Sequence, residues 1–324
     1  YAGTATEYAS LHNIAFAGES SLTGFVTFEK TQATGDMSVA AGGTLTLGTL
    51  TFDLRGVSMG EKTLFVIEDG GTLEGWNADN VHFVYSGVKV NSAAVVLKGV
   101  GKLELSADHK GNLYWNGAAD DMWNIGSVNW SCSEEKTVPE TFTALSNVYF
   151  GGGNAANREI SVTQDMVVAK LDVTDGGYSF TGARVAVLGD ASLNPGNGAV
   201  TFNDQLVVQG AMAAEGSGSV ALLGGATVVE GAVFKNLSTT IRGDMTVGGK
   251  LTVSSGDATM AGSLTISGNV TAQEMEFAVS AGAASDSNPD YNKHLVNVSG
   301  NLTARDNGSI TIGGTAAQYY TGTV

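Results

Sequence analysis

Most of the chain alternates apolar and polar residues over four to six positions and then breaks at Gly, Asn or Asp. That pattern predicts short, half-buried strands joined by tight corners, and helical periodicity is almost absent. The clearest stretch reads Met245-Thr-Val-Gly-Gly-Lys, Leu251-Thr-Val-Ser-Ser-Gly, Ala258-Thr-Met-Ala-Gly-Ser, Leu264-Thr-Ile-Ser-Gly-Asn, Val270-Thr-Ala, with repeat starts 6 or 7 residues apart. The same apolar-Thr-apolar strand with a small-residue corner recurs around Ala199, Gln205, Ser219, Ala226 and Ser309. A sandwich wants turns every 8 to 12 residues or so. Repeats of six or seven suit an all-β parallel β-solenoid, three strands to a coil of roughly 18 to 22 residues. In such a coil Val, Leu, Ile and Met point inward, Thr and Ser outward, and corner Gly and Asn accept a positive φ. Some 15 coils, stacked about 4.8 Å apart, would make a rod of order 70 Å.

One region departs from this texture. Three of the four Trp, at 115, 123 and 130, fall between Leu113 and Trp130, after longer strands around Leu50–Leu54 and Thr63–Ile67. The reading is two consecutive solenoid modules: 1–110, the closing coils of a first, and 111–324, a second that opens with a Trp-rich segment over 111–150.

Composition sharpens the picture. Of 324 residues 45 are Gly and only 3 Pro, and charged residues are 15%. A collagen would need a strict Gly-X-Y period with abundant Pro, and a coiled coil Lys/Glu-rich heptads. Scarce Pro fits a fold in which every strand donates to a ladder. With 16 Lys and Arg against 32 Asp and Glu, the net charge is −16. There is no basic cluster to neutralise phosphates, so nucleic acid and anionic membrane surfaces are poor partners. No apolar run approaches the length of a membrane-crossing helix, so no direct membrane span is expected. The single cysteine, Cys132, permits no intrachain disulfide. Six Asn-x-Ser/Thr sequons begin at Asn129, Asn236, Asn269, Asn297, Asn301 and Asn307. They would accept glycans in a eukaryotic secretory pathway, or are coincidence in a chain crowded with Asn, Ser and Thr.

The series Trp115-Asn-Gly, Trp123, Asn129-Trp130, Asn147-Val-Tyr-Phe-Gly, Ile160-Ser-Val, Val167-Val-Ala-Lys-Leu-Asp-Val, Tyr178-Ser-Phe-Thr-Gly182 resembles the autotransporter-associated β-strand repeat of large bacterial surface proteins. The resemblance covers residues 113 to about 190; beyond them only the low-complexity texture of such passenger regions is shared. It implies a right-handed parallel β-helix, secreted and displayed at the outer-membrane surface of a Gram-negative bacterium or released from it. Sparse cysteine accords with passengers crossing the membrane largely unfolded. The C-terminal membrane barrel of such proteins does not follow Tyr319-Tyr320, and the first residues read as mid-fold, so a piece of a larger protein is expected.

Catalytic signatures are thin. Gly56-Val-Ser58-Met-Gly60 spells a nucleophile elbow, but a strand-like stretch follows where that motif needs a helix. Polysaccharide-active β-helices require clustered carboxylates. Asp120-Asp121 is the only Asp-Asp pair, read as solvated loop residues, and His12, His82, His109 and His294 are scattered. Calcium nonapeptides, EF-hands and paired Cys/His spacings are missing, so no metal or cofactor is assigned. Arg242-Gly243-Asp244 spells an integrin-type tripeptide at a corner, and is otherwise a plain Gly corner. Tyr114, Trp115, Trp123 and Trp130 offer sugar-stacking faces, or the Trp cap the open end of a solenoid core. The expected function is therefore a non-catalytic extracellular stalk or adhesin segment that contacts glycans or surface receptors. A polysaccharide lyase or hydrolase, and a subunit that self-associates end to end, are the alternatives.

Overall fold

The computed structural model describes residues 4–10, 14–27, 37–54, 60–85, 88–106, 111–152, 155–255, 263–279 and 295–323. Ser58, His12, His109, His294 and the Ala258 repeat lie outside these residues. Among the described residues the chain is all β, without a helix, and its stacked parallel strands form a β-solenoid of about 11 turns. Packing divides it into an N-terminal unit, residues 1–111 with 143–146, and a C-terminal unit, 112–142 with 147–324.

In the N-terminal unit two parallel ladders run side by side. Thr4–Ser10, Glu19–Thr27 and Thr44–Asp53 make one, and Ile14–Phe16, Met37–Val39 and Phe65–Ile67 the other. The long strand Thr44–Asp53 meets two shorter successors: Thr72–Glu74 pairs its first part and Val81–Tyr85 its last. Leu45, Leu47, Leu50 and Phe52 are its buried apolar side chains, and Asp53 at its end is buried too. Phe52 packs against Phe65, Trp76 and Phe83 at centroid distances of 6.3, 6.3 and 6.0 Å. Parallel pairing ends where Val88–Lys89 folds back on Val84–Tyr85, and Val95–Lys98, Lys102–Leu105 and Gly60–Thr63 form an antiparallel sheet.

The C-terminal unit has three faces. The first runs in parallel from Asn112–Trp115 through Asn147–Phe150 and Lys170–Val173 to Ile310–Gly313; the second from Met122–Trp123 to Ala317–Tyr320; the third from Met166–Val168 to Leu302–Ala304. Leu171, Ala191, Met212, Ala232 and Leu251 stand in register at nearly even intervals, which is the coil length that the repeat spacing predicts. Coils toward the extremes are longer, as from Met275 to Ile310. Together with the segment 124–142, which adds no strand to the parallel ladders, this explains why there are fewer turns than a uniform period would give.

Side-chain alternation turns this register into a core. On the third face Val168, Val187, Val208, Val228 and Val247 stack as one inward column, each essentially unexposed. β-Branched residues fit such a pleated, fully buried row, and each contributes about 1.5–3 kcal/mol by its burial. On the second face Phe180 lies flat on Phe202, centroids 4.7 Å apart and planes within 10°.

The corner between second and third faces shows why glycine recurs. Gly243, Gly268, Gly300 and Gly322 stack backbone on backbone; a Cβ on Gly300 would overlap the Gly268 carbonyl oxygen, and one on Gly322 would overlap that of Gly300. None of these four has a positive φ. The expected reason, left-handed backbone, is replaced here by close approach of successive coils.

Candidate functional site

The Trp segment folds into a plug within the C-terminal unit. Trp115, Trp123 and Trp130 are 0% exposed. Trp130 packs edge-on against Trp115 and Trp123 at 5.2 and 5.3 Å, and all three contact Phe150, the first-face aromatic of the next coil. Trp115 Nε1 donates to the Asn157 carbonyl at 2.8 Å. The Nε1 groups of Trp123 and Trp130 have no hydrogen-bond partner, and the two side chains lie among edge-on and tilted aromatic rings. Buried rings present no face to a sugar, so these residues act as the core's lid and the stacking platform is not formed by them.

The connecting loop is tied from inside by Asn129, itself 0% exposed. Its Oδ1 accepts from the Ala119 and Asp120 amides; its Nδ2 donates to Asp120 Oδ1 and the Met122 carbonyl. The Asp120 carboxylate also accepts from Ser127 Oγ at 2.8 Å and the Met122 amide at 2.8 Å. These donors, Ser127 foremost, hold its pKa below the ordinary value against a smaller opposing effect of burial. Asp120 is thus a structural acceptor where a solvated loop residue was expected, while its neighbour Asp121 is exposed. With both ends of its amide engaged, Asn129 is closed to glycosylation in the folded chain.

Arg242-Gly243-Asp244 is one tier of the corner between the second and third faces, aligned with Ser267-Gly268-Asn269 and Ser299-Gly300-Asn301. Asp244 Oδ1 accepts from the Asn269 amide at 2.9 Å and from its side chain at 3.1 Å; Asn269 Oδ1 then accepts from the Asn301 amide, and Asn301 Oδ1 from that of Thr323. Arg242 and Asp244 are both exposed at this corner, and one oxygen of the Asp244 carboxylate clamps the next coil. The tripeptide is built like the corners that follow it, with both charged residues at the surface.

The titratable groups perturbed by burial gather mainly on the first two complete coils of the C-terminal unit. On the outward side of the first face, Tyr114 stacks on Tyr149 at 4.9 Å, and Asp172 occupies the next position in register. Burial pushes the Asp172 carboxyl up, only partly offset by Lys170, whose Nζ lies 3.8 Å away. Burial likewise raises Tyr149, helped by Tyr114, Asp172 and Glu134. At the adjoining corner Arg158 pairs with Asp175 at 2.8 Å, donates to the Gly176 carbonyl, and lies 5.0 Å over the Tyr178 ring. Lys136 donates to the Gly151 carbonyl at 2.5 Å. Burial, then the nearby Arg158, push its pKa down.

Sequence reasoning marks only Tyr114, as a sugar-stacking candidate, and Asp175, as a turn residue; it does not single out Lys136, Tyr149, Arg158, Asp172 or Tyr178. Tyr149 and Asp172 are separated by a full coil, and only a known register puts them together; Lys136 arrives from a loop with no periodicity. Groups of three or more His, Cys, Asp or Glu able to hold a metal are absent among the described residues, and none of these residues forms a helix long and apolar enough to cross a membrane. Comparison with protein-family models, curated proteins and solved structures found no match.

Proposed function

We propose that this chain is a non-catalytic structural or adhesive segment of a bacterial surface protein, a rigid scaffold that displays repeated small polar side chains to glycans or receptors outside the cell. One observation carries the reading: the outward rows are in register over many coils. On the second face the row runs Ser179, Thr201, Ala221, Thr240, Thr265, Asn297; on the third, Thr227, Thr246, Thr271, Thr303. Strand stacking spaces these side chains about 4.8 Å apart along each row, a comb of hydroxyls that is unbroken from Thr227 to Thr303 on the third face and interrupted by Ala221 on the second. The likeness of residues 113–190 to the autotransporter-associated repeat supports the bacterial-surface setting. End-to-end assembly through the first face is disfavoured at one edge, where the terminal strand Pro139–Glu140 includes a residue with no amide to donate.

A second reading, a polysaccharide-active enzyme, draws support from Asp172: a carboxyl raised by burial, in register beside Tyr149, a hydroxyl that burial also raises. Incubating the chain with a glycan panel, assaying both retention and new chain ends, separates the two. Retention without cleavage is expected. New chain ends that vanish in Asp172→Asn would replace the scaffold reading with the enzymatic one.

A further inference from the structure

We infer that Lys136, Arg158 and the Tyr178 hydroxyl form a subsite for a single carboxylate of an acidic glycan, a uronate, at the corner following the strand Asn147–Phe150. The inference rests on the display reading and names the chemistry of one of its contacts.

Charge balance is the first argument. Two cations, Lys136 and Arg158, share this half-buried corner with one carboxylate, Asp175, which is bound to Arg158. Among the described residues no carboxylate lies within ion-pair distance of Lys136; its ammonium is held by a neutral carbonyl, that of Gly151. The corner therefore carries one uncompensated positive charge in a chain whose net charge is −16. A half-buried cation without a counter-ion is costly, and an anion that supplies the missing charge recovers that cost. One surplus charge matches a monoanion better than a phosphate dianion.

An unsatisfied donor is the second. Tyr178 is 1% exposed; the Gly151 backbone lies against its oxygen and favours the phenolate, while the hydroxyl proton has no acceptor. Buried hydroxyls are rarely left unpaired, because the loss leaves a desolvated donor with nothing in return. A carboxylate that draws Lys136 away from the Gly151 carbonyl accepts from the ammonium and from this hydroxyl together. The glycan's neutral hydroxyls then meet Ser179 and Thr201, outward neighbours on the adjoining face.

The test is calorimetric titration of the full chain with trigalacturonate and with its methyl ester. The acid is expected to bind and the ester to bind at least about tenfold more weakly, since the charge-assisted bonds are lost. Lys136→Met is expected to weaken the acid about tenfold, and Asp175→Asn, which releases Arg158 and removes a negative charge, to strengthen it about threefold. The opposite signs guard against misfolding as the cause. Equal affinity for acid and ester, or no change in either variant, overturns the subsite. If neutral members of the glycan panel are retained while trigalacturonate is not, the subsite fails and the display reading stands; if no glycan is retained, glycan display fails with it.

Discussion

Asp120 and Asp172 are both partly exposed carboxylates, yet the fold treats them oppositely. Asp120 is encircled by donors, so its folded pKa is depressed. Its contribution to stability is present above the unfolded value near pH 3.9 and is lost as pH falls through the folded value. Asp172 is raised by burial, so the folded state prefers it protonated, and ionisation costs stability as pH climbs from the unfolded through the folded value. Asp172→Asn should therefore stabilise the chain at pH 7, by about 0.5 kcal/mol after allowing for its partial exposure and the Lys170 contact. Asp120→Asn should destabilise it, and both differences should shrink below about pH 4. Urea unfolding at pH 7 and pH 3.5 reads both signs; a destabilised Asp172→Asn at pH 7 would show that the Lys170 pair outweighs burial. Neither behaviour was legible beforehand. The Asp-Asp pair attracted attention as a motif, but the partners that decide its chemistry, Ser127 and Asn129, are set by loop geometry.

At the level of strands and corners the sequence was far more informative. Apolar-Thr-apolar triplets place Leu264 and Ile266 inward and Thr265 outward by alternation alone, and the structure keeps them so. Corner glycines were equally visible, but their physical reason was not, because it depends on what lies one coil away. Gly300 is excluded from bearing a side chain by the Gly268 carbonyl, whereas Gly126, in the plug loop, meets nothing closer than 3.7 Å. Gly300→Ala is accordingly expected to cost about 2–4 kcal/mol and Gly126→Ala less than about 0.5 kcal/mol, measured by chemical denaturation. Equal costs would mean that the corner relaxes and that the stacked backbone does not set coil spacing. Arg242-Gly243-Asp244 belongs to the same lesson: the three letters spell a receptor tripeptide, and register adds that they also form a tier of that stack, with Arg242 and Asp244 exposed.

For the whole molecule, the coil period predicted from repeat spacing is realised in the middle of the C-terminal unit, where each coil rests only on its neighbours. The Trp plug and the long final coils obey no period, so sequence spacing overestimated the number of turns. A stack of this kind is stabilised by nearest-neighbour interfaces, and a scaffold built from it should yield to force one or a few coils at a time. Force spectroscopy on the full chain, held by its two ends, measures this directly. The account predicts successive contour steps of about 70 Å, the length of one fully extended coil, or small multiples of it. Extension of the whole chain in a single step, or without measurable resistance, would contradict a scaffold whose strength lies in stacked coils.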